Sequence, residues 1–167
     1  MSADSLLIYP DPRLRRVAEP VTRFDATLSE AVGELEAVMQ AASALGLTLP
    51  HIGWPLRVVL LRMEPGEPTT TYVNPEIVWA SLERGPQSEG SVSMPGIMDV
   101  VERAVRVRVR FQDLAGAERE EEADGFRAAC LQHEIDQLDG IFWIDRLSRL
   151  RRERAVKRFA KLRRAAL

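Results

Sequence analysis

Val105-Arg106-Val107-Arg108-Val109-Arg110-Phe111 alternates apolar and charged residues without a break. A period of two is what an extended strand presents to a core, and it places Arg106, Arg108 and Arg110 on the solvated face. Such a strand needs a neighbour to pair with and an apolar element to cover it. Glu118 to Glu122 is expected to pair back with it across the turn at Asp113 to Gly116. The cover follows in the chain: Asp124-Gly125 precedes a helix expected over about 126–138, ended by Asp139-Gly140.

The rest of the chain fills in around this unit. Asp25-Ala26-Thr27-Leu28-Ser29-Glu30 reads as a helix start, and Leu28, Ala31, Val32, Leu35, Val38, Met39 and Ala42 recur at the spacing of one buried helix face. Arg57 to Arg62 is a short apolar run bounded by prolines, a buried strand, and Thr71 to Pro75 suggests another. A last helix is expected over about 148–167, docked through a stripe of Leu150, Val156, Phe159 and Leu162. Strands followed by a central helix give an α+β domain, and 167 residues are enough for one domain with a real core.

Composition narrows the function classes. With 46% apolar and 29% charged residues the chain is ordinary for a globular protein. No apolar run approaches a membrane span, and Met1-Ser2-Ala3-Asp4-Ser5 lacks the basic and long apolar regions of a signal peptide. Cys130 is the single cysteine, so no internal disulfide forms; a cytoplasmic setting is expected. The net charge of −2 conceals an asymmetry: residues 146–167 carry ten Arg and Lys against the single acid Glu153, about +9, which leaves the remainder near −11. That tail is the one segment suited to an anionic surface.

The chemistry sits in the second helix, over about 126–138. A metallohydrolase helix of the form H-E-x-x-H sets two imidazoles one turn apart beside a glutamate base. In Gln132-His133-Glu134-Ile135-Asp136-Gln137 the first imidazole and the glutamate are present, and Gln137 stands where the second imidazole belongs. Two further blocks precede it, Ala44-Leu45-Gly46-Leu47-Thr48-Leu49-Pro50-His51-Ile52-Gly53 and Glu89-Gly90-Ser91-Val92-Ser93-Met94-Pro95-Gly96.

In this order and at these separations the three blocks resemble the peptide deformylase family. The resemblance covers nearly the whole chain, from Tyr9-Pro10-Asp11-Pro12-Arg13-Leu14-Arg15 through Val73-Asn74-Pro75-Glu76 to Phe142-Trp143-Ile144-Asp145-Arg146-Leu147 and a basic helix. It implies that family's α+β fold, with mixed or antiparallel sheets around the central helix, over residues 1–167. It also implies hydrolysis of the N-formyl group of formyl-methionyl nascent peptides through one divalent metal, often Fe²⁺ and also Zn²⁺ or Ni²⁺. By resemblance, the metal-ligand positions are Ser91, His133 and Gln137, of which only His133 keeps the family's residue. Glu134 is the general base. Gly46, His51 and the backbone N–H of Val92 are at the oxyanion and substrate side, with Phe126, Ala129 and Cys130 around the substrate pocket. The family's glutamine is His51 here, its small residues are Thr48 and Leu49, and an arginine expected after the second block is Met98.

These departures matter chemically. Cysteine ligates as a thiolate, whereas a serine hydroxyl stays protonated and Gln137 offers a neutral amide oxygen. Without a metal, water is not brought toward a pKa of ~7, so no hydroxide nucleophile is available at neutral pH. The expectation is a pseudo-enzyme that binds no stoichiometric metal. Two alternatives stay open: an active but atypical deformylase or amide hydrolase, and a ribosome- or peptide-binding protein without catalysis, with the tail as the ribosome contact in translation and no membrane partner. A rival ligand set is His51, His133 and Glu134, since His₂Glu is used by catalytic zinc sites. Ser91 beside His133 would be a Ser–His pair with no third residue to complete a triad. Cys130 reads as a small buried hydrophobe, and Asp136 as a structural hydrogen-bonding residue.

Overall fold

The computed structural model describes residues 5–167; Met1 to Asp4, within the start read above for a leader, lie outside the described residues. Helix α1 (Ala26–Ala41) begins where Asp25 caps the Leu28 N–H, and it buries Leu28, Ala31, Val32, Leu35, Val38 and Met39. Ala42 ends it as the C-cap. Then come β1 (Gly46–Thr48), a 3-10 turn (Leu49–Ile52), β2 (Val58–Leu61), β3 (Thr70–Ala80), β4 (Arg84–Gly90), β5 (Met98–Ala104), β6 (Arg106–Gln112) and β7 (Glu118–Asp124). Helix α2 (Gly125–Leu138), another 3-10 turn (Trp143–Arg146) and α3 (Arg149–Ala165) follow, and a further 3-10 turn (Pro12–Arg15) precedes α1.

The strands form a five-stranded sheet in the order β1-β2-β3-β6-β7 and a separate β4-β5 ribbon. Every ladder is antiparallel. The two strand patterns in the sequence now have a cause. Val58 and Leu60 face the cluster built on α1, and Val59 and Leu61 face the cluster built on α2, so β2 is apolar throughout because helices cover both of its faces. In β6, Val107, Val109 and Phe111 join the α2 cluster, while Arg108 pairs with Glu122 across to β7 and Arg110 with Glu76 on β3.

Helix α2 buries Ala128, Leu131, Ile135 and Leu138 against this sheet. Gln132 fixes its rotation: its amide accepts from the Ala104 N–H (3.0 Å) and donates to the Ala104 carbonyl (2.9 Å). The helix stops at Gly140, with φ +74°, where a Cβ would stand 2.6 Å from the Arg15 carbonyl oxygen.

Three stretches differ from the sequence expectations. β3 runs to Ala80, well past Pro75. The β4-β5 ribbon was invisible because β4 carries Gly85, Pro86 and Gly90 and few β-branched residues, a composition tolerated where a strand has one free side. The stripe on α3 is corrected: Ala155 and Phe159 are buried, but Leu150 is 57% and Leu162 is 42% exposed. Leu150 lies five residues before Ala155, roughly 140° around the helix from the docked seam. Phe159 packs edge-on to Tyr9 in a third cluster with Leu14, Met94, Phe142 and Trp143. Among the described residues no helix is long and apolar enough to cross a membrane.

Candidate active site

A cavity of about 530 Å³ opens between β1, β4, the loop 91–97 and α2. Gly46, His51, Ser91 and Val92 reach it from the first two blocks. Phe126, Ala129, Cys130, His133 and Glu134 reach it from α2. Gln137 does not border it.

Glu134 lies against β1. A Cβ on residue 46 would stand 2.8 Å from Glu134 Oε1, so glycine is required there for the carboxylate to seat. Glu134 is 6% exposed, and its Oε2 is a buried acceptor with no hydrogen-bond partner among the described residues. Burial pushes its pKa up to about 7; the nearby His133 opposes this and Glu89 adds to it.

His133 is held from behind. Its Nδ1 is 2.8 Å from Glu89 Oε1. Glu89 in turn receives Arg103 Nε (2.7 Å) and Nη2 (2.8 Å), and Arg103 Nη1 reaches Asp136 (2.6 Å). Asp136 also receives two bonds from Arg146 (2.9 and 2.6 Å). Burial opposes the charge on Glu89, yet the Arg103 and then the His133 hydrogen bonds hold its pKa down at about 2. Because Glu89 is an anion that only accepts, His133 carries its proton on Nδ1 and leaves Nε2 to the cavity side. Burial lowers the His133 pKa, but the Glu89 bond and the charges of Glu134 and Glu89 together raise it.

The other positions are committed elsewhere. Ser91 Oγ accepts the Ser93 N–H at 3.1 Å, with no hydrogen bond to His133. Gln137, 3% exposed, donates from Nε2 to the Leu14 carbonyl at 2.6 Å. His51 directs Nδ1 at Thr48, 2.7 Å from Oγ1 and 3.0 Å from the backbone N. Burial and then the charge of His133 bring the His51 pKa to about 3. Burial, then the charges of Glu134 and Glu89, raises the Cys130 thiol to about 12, so it lines the cavity as an inert group. Met98, in place of the expected arginine, is 62% exposed and forms an apolar rim with Phe126 and Leu45.

The architecture and the three blocks converge on one group of proteins. A family model described as polypeptide deformylase matches residues 3–153. The chain belongs to the polypeptide deformylase family. A peptide deformylase-like protein of Brucella melitensis is 56% identical over 164 residues, 98% of this chain and 100% of its own. A peptide deformylase of Phenylobacterium zucineum is 41% identical over 169 residues, covering 99% and 100%. The crystal structure of a peptide deformylase from Legionella pneumophila superposes with a TM-score of 0.91 at 36% identity, covering 96% of this chain and 95% of that one. The family uses a divalent metal, and the donors present here do not fit one. They offer one imidazole nitrogen, a neutral hydroxyl already accepting a hydrogen bond, and an amide whose N–H is spent on Leu14. Among the described residues no three His, Cys, Asp or Glu side chains gather as a metal-binding group, so the rival set of His51, His133 and Glu134 does not assemble either.

Sequence reasoning passed over Glu89, Arg103 and Thr48. Glu89 opens the second block and was visible there. Arg103 sits among Val101, Glu102 and Ala104 with nothing in its spacing to single it out, since its partners lie 14 and 33 residues away. Thr48 stands three residues before His51, the spacing of a side chain closing a turn, which is a readable signal.

Proposed function

We propose that this chain keeps the deformylase peptide cavity and binds N-formyl-methionyl peptides there, while hydrolysing them weakly or not at all. The observation that carries this is the Gln137 Nε2 bond to the Leu14 carbonyl, which turns one ligand position away from the cavity and into the fold. Ser91 supports it, as a neutral oxygen at the position of the family's thiolate. Glu134 remains as an acid or base near neutrality, worth ~10²–10⁴-fold by itself, well short of what an activated nucleophile adds. Binding is supported by the apolar rim and by strand edges. β1 is the outer strand of its sheet and β4 is paired on one side alone, and both border the cavity, so an extended peptide can add to either. The cytoplasmic setting expected from the sequence goes with such a ligand.

The test is turnover of formyl-Met-Ala-Ser together with metal content, on protein purified without oxygen or chelators. Near-stoichiometric Fe, Zn or Ni lost on His133→Ala, or turnover within about tenfold of a standard deformylase, overturns the reading.

The same reading extends to a partner. Arg154, Lys157, Arg158, Lys161 and Arg164 on α3 make no ion pair among the described residues, whereas Arg151 is spent on Asp99 and the Val100 carbonyl. Five unpaired cations on one helix suit the phosphates of ribosomal RNA, where nascent peptides emerge.

A further inference from the structure

Helix α3 has two flanks, and one of them meets the mouth of the cavity. Arg151 reaches Asp99 and the Val100 carbonyl near the start of β5. Farther along the helix, Leu162 lies against Gly96, where a Cβ would stand 3.1 Å from Leu162 Cδ1. Gly96 and Met98 both line the cavity. At about 3.6 residues per turn, positions 151, 158 and 162 form one stripe along a helix, and 154 stands one turn before 158. The two contacts therefore place Arg154 and Arg158 beside residues 96–100. Both arginines are exposed and make no ion pair among the described residues. On the opposite flank Arg149 pairs with Glu153, and Arg152 lies 3.9 Å from Asp145.

The rim on the Arg154 side is apolar and offers no free charge of its own. Met98 is 62% and Val100 is 42% exposed, and alternation along β5 sets both on one face. Asp99, between them, is spent on Arg151. Met98 stands where the family resemblance places an arginine, and among the described residues no Lys or Arg lines the cavity. Glu102 shares the face beyond Val100, so an acid is favoured beside α3 and not farther along the ribbon. A chain leaving the cavity past Met98 thus meets an apolar step and then two guanidinium groups. A guanidinium presents a planar fork of N–H donors that matches a carboxylate. A neutral side chain gains no charge attraction there, and a lysine is repelled.

We propose that the cavity selects formylated peptides whose downstream residues are acidic, with Arg154 and Arg158 as the groups that receive their carboxylates. Entry of a formyl-peptide rests on the function proposed above; the acid preference of this flank does not.

The experiment is titration calorimetry of the full chain with three amidated peptides, formyl-Met-Ala-Ser extended by Glu-Glu, Gln-Gln or Lys-Lys. Two exposed ion pairs support a preference of about fivefold for Glu-Glu over Gln-Gln at low salt, with Lys-Lys weakest. The preference should vanish near 0.5 M salt, at roughly the ionic strength where exposed charges are screened within a few ångströms. Arg154→Gln with Arg158→Gln should bind the Glu-Glu and Gln-Gln peptides alike. Arg149→Gln with Arg152→Gln, which removes the same charge from the opposite flank, should keep the preference. Equal affinity for the two peptides in the native chain overturns the proposal, as does an equal loss in both double variants. A preference that survives in Arg154→Gln with Arg158→Gln overturns it too, and if ribosome cosedimentation is lost there, the two arginines belong to RNA phosphates. If no formylated peptide binds, the function proposed above fails separately. NMR of the Met98 methyl group and the arginine Nε–H groups, titrated with acetyl-Ser-Glu-Glu amide, then decides this proposal. It stands if the signals of Met98, Arg154 and Arg158 shift with that peptide and not with its Gln-Gln analogue, and falls otherwise.

Discussion

Returning the two lost ligands, by Ser91→Cys with Gln137→His, should give back metal-dependent stability at a measurable cost to the metal-free protein. The cost follows from Leu14. Its carbonyl accepts Gln137 Nε2 at 2.6 Å, and the residue is 1% exposed, so water cannot take over when the amide leaves. A buried acceptor left unpaired costs about 1–3 kcal/mol. With a urea m-value of about 2 kcal/mol/M, a 2 kcal/mol loss lowers the midpoint by roughly 1 M in EDTA. Zn²⁺ at a hundred times its Kd then stabilises the folded state by about 2.7 kcal/mol. The double variant should therefore unfold earlier than the native chain in EDTA and recover with Zn²⁺, and His133→Ala in that background should abolish the recovery. The native chain should show no Zn²⁺ shift. An equal shift in the native chain would mean that other donors complete the site. A folded double variant with no shift would mean that α2 and the 91–97 loop no longer present these positions to one ion.

Arg103→Met leaves Glu89 without its two guanidinium bonds and Asp136 with Arg146 alone, so it should destabilise by about 3–5 kcal/mol in urea; Glu89→Gln in that background should recover part of the loss, and a cost below 1 kcal/mol would refute the network. The Glu134 pKa is raised by burial from 4.5 to about 7, so the folded state holds a proton that the unfolded chain releases first. This contribution is present below pH 4.5 and is lost as pH rises through about 7; Glu134→Gln should flatten that decline and gain on the native protein between pH 5 and 8, and parallel curves would refute the shift. Glu89 has the opposite sign: its pKa is held near 2, so its contribution is present above 4.5 and is lost as pH falls toward 2, a limb that Glu89→Gln should remove from acid unfolding curves. On α3, Gln at positions 154, 157, 158 and 161 should abolish ribosome cosedimentation at low salt without lowering stability, because these side chains make no ion pair among the described residues; binding that survives the change, or ignores salt, would sink that contact.

How much of this was legible depended on range along the chain. The alternation at 105–111 and the face of α1 are local periodicities, and both elements lie where the pattern puts them. The β4-β5 ribbon has no such pattern, because Gly85, Pro86 and Gly90 dilute it and its register comes from pairing with residues 98–104. The three blocks marked the cavity through their residue types. What no local pattern could give was the orientation of particular side chains. Gln137 serves a carbonyl 123 residues away in the sequence, and that contact exists only once the N-terminal turn at Pro12–Arg15 has folded against α2. The His51–Thr48 contact is the converse case: the partner is three residues away, and a threonine at that spacing from a histidine can be read directly.

The charge network behind the cavity explains how a deformylase fold can survive a change of ligands. In a metal site the ion itself draws loop and helix together, and its binding adds to folding stability. Here side-chain charges join the second block to α2. Glu89 binds His133 on one side and Arg103 on the other, Arg103 continues to Asp136 on the same helix, and Arg146 closes the chain from the turn that precedes α3. Each charge in this series has an opposite neighbour within 2.9 Å, so none is left to be satisfied by a metal. With the walls fixed in that way, Ser91 and Gln137 are free to serve other bonds, Ser91 holding its own loop at Ser93 and Gln137 holding the N-terminal turn. The cavity then keeps its shape and its apolar rim of Leu45, Met98 and Phe126. Ser91 and Gln137 change the ligand positions, while His51, Thr48, Leu49 and Met98 change the substrate side of the same pocket, and the network behind it holds the walls through both sets of changes.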